Sequence, residues 1–171
     1  CLPLPSAMVR RRMLSAVGGF GETLVQLSDF DLWIRLAARG TFAQVSDPLT
    51  QIRIQPTNLS MPNRGGSLRT RIEHSRVLWR FTEPEQLAFY QEIFPDLPPH
   101  RSSVLRIAEI AQLAASLGGP SRLLFADRTL EALFEDADKR AEITHTIGAH
   151  VFAEFVERRR HCDLEWQDSD E

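Results

Sequence analysis

Ser28-Asp29-Phe30-Asp31-Leu32-Trp33-Ile34-Arg35-Leu36 is the stretch on which the reading of this chain turns. Ser28 stands as a candidate N-cap, and Asp31 three residues later resembles a capping box. Leu32, Trp33, Leu36 and Ala37 fall at helical spacing, and Gly40 is a natural stop. Two carboxylates therefore sit at the mouth of an amphipathic helix, shortly after the Gly-rich turn Gly18-Gly19-Phe20-Gly21-Glu22. A carboxylate mounted there has its backbone pinned while its side chain faces whatever docks above the turn. An ordinary helix N-terminus has the same appearance, so the flanking residues must decide.

Working outward, Ser6 to Arg10 reads as a short strand and Arg11 to Val17 as a helix, with Gly18 suited to a left-handed cap. After the helix of residues 28–37, Thr41 to Val45 and Leu49 to Ile54 read as strands around an Asp47-Pro48 turn. Pro56, Asn58, Pro62 and Gly65-Gly66 mark a loop, and 61–66 is read as a linker. From Ser67 the pattern is helical, with candidates at about 67–81, 83–94, 101–117, 121–135 and 139–160. In the last, Ile143, Ile147, Val151 and Phe155 form one apolar stripe. The organisation expected is thus a mixed region over 1–60, the linker, and a helical region over 67–171, helix-dominated overall.

With 171 residues, 43% of them hydrophobic and 25% charged, the chain can build an ordinary folded core. A net charge of −3 gives no reason to expect nucleic acid as a partner. No apolar run approaches the roughly 20 residues of a membrane-spanning helix. Two cysteines, Cys1 and Cys162, are too few for a disulfide framework or a cysteine metal site. His145 and His150 are five apart, off the spacing of a paired helical metal site. A first residue of Cys rather than Met suggests a piece of something longer.

Five segments in order carry a resemblance. They are Met8-Val9-Arg10-Arg11, Val17-Gly18-Gly19-Phe20-Gly21-Glu22, the Asp29-Phe30-Asp31-Leu32-Trp33-Ile34-Arg35 helix, Asp47-Pro48-Leu49, and Ile52-Arg53-Ile54-Gln55-Pro56-Thr57-Asn58-Leu59-Ser60. Residues 6–60 resemble the C-terminal, acceptor-side part of the catalytic domain of family 2 glycosyltransferases, which have the GT-A fold. The resemblance implies an α/β fragment followed by a mainly α-helical extension. It implies an inverting, nucleotide-sugar-dependent hexosyl transfer of the kind used in bacterial cell-surface polysaccharide assembly.

By the same resemblance Asp29 corresponds to the general base. Asp31 is either a helix-start acid or an acceptor-orienting group, and Arg35, one turn on, is placed to pair with it. Arg53 is either a diphosphate contact or a surface ion-pairing residue. Three positions depart from the family pattern: Ser28 replaces the usual Glu before the base, Ile52 the usual Tyr, and Gln55 the usual His. A neutral amide is a poor ligand for Mg²⁺ or Mn²⁺. The divalent metal of the complete enzyme is therefore expected elsewhere, with none held by this chain alone. The donor-binding half with its Asp-x-Asp motif has no counterpart in the chain, and that half is expected as a covalent or protein partner, ahead of Cys1.

The expectation is an acceptor-side fragment, inactive alone. Its partners in the complete enzyme are a nucleotide sugar and a hydroxyl acceptor. The implied location is cytoplasmic, with the inner face of the membrane as one option. The rival expectation is a non-catalytic helical interaction module on a degenerate glycosyltransferase platform.

Overall fold

The structure is a computed structural model that describes residues 3–53, 55 and 64–165, with the side chains of 64–67 and 161–165 outside the description. It divides into two compact units, Cys1–Gln86 and Leu87–Glu171.

The first unit begins with a 3-10 turn at Leu4–Ser6 and α1 at Arg11–Ala16. The end of α1 is a Schellman closure. Gly19 N–H donates to Leu14 O at 3.0 Å and Gly18 N–H to Ser15 O at 3.2 Å. Gly18 lies at φ +79°, the left-handed conformation expected of it from sequence. Helix α2 runs Ser28–Ala37 and α3 Arg64–Leu78, continued by a 3-10 turn at Trp79–Thr82. The core of this unit is Leu32, Trp33 and Leu36 on α2, packed by Val9, Met13, Leu14 and Val17. Gly40 follows two residues past the cap of α2. A Cβ there would lie 3.2 Å from Met13 Cε, so the absence of a side chain lets the chain turn closely over α1.

Among the described residues there is no β-strand: the helix-dominated expectation holds, and the α/β one is not shown. Residues 6–10, 41–45 and 49–53, read as strands from their composition, form no ladder; Ile54 lies outside the described residues. A strand needs a neighbour to accept its backbone bonds and a face to bury. Here Phe42, Val45, Leu49 and Ile52 all remain exposed, Leu49 at 76%. Local β-propensity without a partner is not enough to form a sheet.

The composition change at 61–66 is not where the compact units divide. α3 belongs with the first unit, because two of the side chains carried by α3 and the turn after it reach back to α2, as described below.

In the second unit α5 spans Tyr90–Ile93, after the single turn α4 at Pro84–Leu87. The helix expected over 83–94 is thus interrupted, at Phe89 (φ −105°, ψ 24°). Helices α6 (Ser103–Leu117) and α7 (Pro120–Phe134) form a hairpin and make the most extensive helix–helix contact. The turn between them is Gly118-Gly119, at φ +64° and +86°, with Pro120 opening α7. Ala108, Ala111 and Ala126 are fully buried and let helices approach closely.

The helix expected over 139–160 is two helices, α8 at Ala137–Thr146 and α9 at His150–Glu165. Gly148, at φ +135°, breaks it, a conformation that side-chain-bearing residues rarely adopt. The apolar stripe survives the break: Ile143, Val151 and Phe155 are all buried and Ile147 half-buried. Asp136 caps α8 by accepting from Asp138 and Lys139 N–H. Phe134 sits edge-on to Phe152 at 5.1 Å and 5.3 Å from Phe155, closing the apolar end of the bundle.

Candidate functional site

Helix α2 presents its two acids in opposite ways. Asp31 is 1% exposed and is the hub of an ion-pair network. Its Oδ2 accepts from Arg35 Nε at 2.9 Å and Nη2 at 2.6 Å, and its Oδ1 accepts from Arg80 Nε. Arg80 also donates to Glu83 at 2.6 Å. Arg35 continues into the turn after α1, donating to the carbonyls of Val17 and, at 2.8 Å, Gly19. The Asp31–Arg35 pair therefore ties the Gly18-Gly19 turn to α2, and Arg80 ties the end of α3 to the same carboxylate. Both oxygens of Asp31 are engaged within the protein. Burying two opposite charges this way costs desolvation, and loss of one partner leaves the other uncompensated.

Asp29 is half-buried, in the first turn of α2. Its Oδ1 accepts from the backbone N–H of Phe30 at 2.8 Å, and no other hydrogen-bond partner is found among the described residues. The Phe30 ring lies 6.2 Å from the ring of His74 on α3. Asp29 is thus the carboxylate of the motif that is neither sealed in nor committed to an arginine.

The capping of α2 differs from the capping-box expectation. Ser28 is the first helical residue and makes no side-chain cap; Leu27 occupies the cap position. The anion at this helix start comes from Glu73 on α3. Glu73 accepts from the backbone N–H groups of Val25 at 3.0 Å, Gln26 at 2.8 Å and Leu27 at 2.9 Å. Thr70 Oγ1, one turn earlier on α3, donates to Gln26 Oε1 at 2.7 Å. Glu73 is 3% exposed. Burial pushes its carboxyl up, but the three backbone bonds and the nearby Arg69 charge outweigh that and hold it below the ordinary glutamate range. Three convergent donors satisfied by one carboxylate fix the approach to α2, and with it the placement of Asp29.

Glu73 and Arg80 were missed by sequence reasoning. They lie 46 to 49 positions from Val25, Gln26, Leu27 and Asp31, and no local periodicity connects them. One signal was available: Glu73 is the lone acid of α3, among Arg64, Arg69, Arg71 and Arg76. A lone acid in an arginine-rich helix is a candidate for an internal contact.

Arg53 and Gln55 are exposed, in the segment that forms no ladder. Asn58 and Ser60 lie outside the described residues. Among the described residues no three His, Cys, Asp or Glu side chains converge on a metal-sized site. No described helix is long and apolar enough to cross a membrane.

A cleft of about 600 Å³ opens on the other side of the α2 core. Trp33 and Leu36 form part of its wall, with Met8, Arg10, Arg12 and Phe42 around it, and Asp29 is not on that wall. The Trp33 and Phe42 rings meet nearly edge-on at 6.2 Å. Arg39 borders the cleft while pairing with Glu85 at the surface. Compared with known proteins, the chain matches no family model, no curated protein and no solved structure.

Proposed function

We propose that this chain is the acceptor-side part of an inverting, nucleotide-sugar-dependent glycosyltransferase, with Asp29 as the general base. The reading rests on the five ordered segments of residues 6–60. The observation that carries it is the division of labour on α2: Asp31 is consumed by Arg35 and Arg80, whereas Asp29 keeps an uncommitted oxygen in a half-exposed position.

In this role the Asp29 carboxylate takes the proton of an acceptor hydroxyl as that oxygen attacks the anomeric carbon. The nucleoside diphosphate leaves from the opposite face. Asp31 and Arg35 act by holding the turn and helix in place, and Glu73 by fixing the helix start. Arg53 is assigned to the diphosphate side. Donor and metal contacts are assigned to a separate donor-binding half, and no residue of this chain is assigned to the metal. Cell-surface polysaccharide assembly at the cytoplasmic side of the membrane is the setting that this chemistry suits.

A second reading, a non-catalytic interaction module on a degenerate platform, is favoured by one observation: the cleft beside Trp33 and Leu36 is not walled by Asp29. The two readings separate experimentally. Under the glycosyltransferase reading the chain alone, given UDP- or GDP-sugars with Mn²⁺, shows neither transfer nor a thermal shift. Supplied with a donor-binding half, it turns over, and Asp29→Asn abolishes turnover while leaving donor affinity almost unchanged. Turnover that survives Asp29→Asn removes Asp29 from the mechanism, and the absence of any turnover in the completed protein favours the module.

A further inference from the structure

Helices α6 and α9 each turn a polar stripe toward a shared groove. On α6 the stripe is Glu109, Gln112 and Ser116; on α9 it is His150, Glu154 and Arg158. The spacings are i, i+3, i+7 and i, i+4, i+8, so each set lies along one helix face. The groove encloses about 440 Å³, within the range of about 300–1,000 Å³ common to small-molecule sites.

Two of these side chains carry a buried nitrogen with no hydrogen-bond partner: Gln112 Nε2 and Arg158 Nη2. Such groups are costly to leave unmet, and two of them on the walls of one groove need an explanation. Arg158 already donates through Nε to Asp127 at 3.2 Å, which fixes its guanidinium with the second nitrogen unused. The terminal amide torsion of Gln112 is soft, so its nitrogen turns toward the groove without backbone movement, while the Arg158 guanidinium stays where Asp127 holds it. At the rim, the His150 ring packs against Gly148. A Cβ on Gly148 would lie 2.6 Å from His150 Nδ1, so the bare backbone is what admits the ring.

We propose that this groove binds a neutral, polyhydroxylated small molecule, a sugar-like ligand. Charge and hydrogen-bond capacity select that class. The unused donors require acceptor oxygens. An oxyanion would supply them but would meet two carboxylates, Glu109 and Glu154, while Arg158 is already paired with Asp127. A cation would suit the carboxylates but offers nothing to Gln112 or Arg158. A hydroxyl does both: it accepts from the Gln112 amide and donates to Glu154. Leu97 and Leu113 supply apolar surface for the C–H face of such a ring. The site lies wholly within the second unit and does not depend on the glycosyl-transfer reading.

The test is an NMR titration of the full chain with methyl glucoside, methyl galactoside and myo-inositol, against inorganic phosphate and methylammonium chloride. At least one neutral polyol is expected to give saturable shifts that include the Gln112 side-chain amide. Gln112→Leu is expected to weaken that binding by about tenfold while the melting temperature holds or rises, because an unmet donor has been removed. Glu154→Ala, at an exposed position, is expected to weaken it severalfold and serves if the first variant does not fold. Saturation by phosphate or methylammonium alone, no saturation by any of the three polyols, or polyol binding that is unchanged in both variants overturns the proposal.

Discussion

At the scale of single residues, the buried carboxylate of Asp31 ties the first unit together. It joins three stretches of chain that are distant in sequence, through Arg35 and Arg80, in a position that water hardly reaches. Asp31→Asn keeps the shape but leaves two guanidinium groups facing an uncharged amide. The expected loss is about 3–5 kcal/mol of stability, the usual cost of breaking a buried ion pair from one side. Chemical denaturation of the variant measures it, and a loss below about 1 kcal/mol, typical of an exposed pair, would show that the network is solvated. That Asp31 and Arg35 would pair was legible in the sequence from their one-turn spacing. That Arg80 would complete the pair was not, since a contact across 49 positions leaves no local trace.

Among secondary-structure elements, α2 shows how far a helix start can depend on another helix. Its sequence suggests that it caps itself; instead Glu73 on α3 supplies the anion to the three N–H groups preceding the first turn. Glu73→Gln keeps one acceptor oxygen but removes the charge, and is expected to cost about 1.5–3 kcal/mol, the range for hydrogen bonds to charged groups. The effect has a pH signature. The folded carboxyl titrates below its ordinary value of 4.5. Its contribution is therefore present above about pH 4.5 and lost as pH falls through the lowered folded value. In Glu73→Gln that part of the acid dependence disappears. Urea titrations of both proteins between neutral and acidic pH compare the slopes; parallel profiles would mean that Glu73 is solvated in the folded state.

Taken as a whole molecule, the chain carries two buried pH-sensitive side chains in different units. Glu73 belongs to the first, and Tyr90, the one tyrosine of the chain, to the second. Tyr90 is buried, its hydroxyl donating to Pro98 O at 3.2 Å and the Arg106 guanidinium lying 5.5 Å from its ring centre. Burial, aided by the Glu109 charge and opposed by Arg106, pushes its phenol from 10.0 up to about 12. A raised folded value favours the neutral form. Stability from this group is complete below pH 10 and is lost as pH rises through about 12. Phenolate absorbance, with a single tyrosine to report it, is expected to appear near pH 12 rather than 10. Acid is thus expected to loosen the first unit and alkali the second, and circular dichroism at the two extremes should show separate transitions.

The helices Ser28–Ala37, Ser103–Leu117 and Pro120–Phe134, the breaks at Gly18 and Gly118-Gly119, and the apolar stripe of Ile143, Val151 and Phe155 were determined by the sequence alone. They depend on neighbours within a turn or two, where periodicity and glycine conformation act directly. The strands at 41–45 and 49–53 were equally legible as propensity, yet a strand is a relation between two segments and here the second is absent among the described residues. Tertiary structure alone decided that Glu73 caps α2 and that Arg80 completes the Asp31 network. Each of these turns on groups brought together by how the chain packs, and packing energy depends on distance in space rather than distance along the chain.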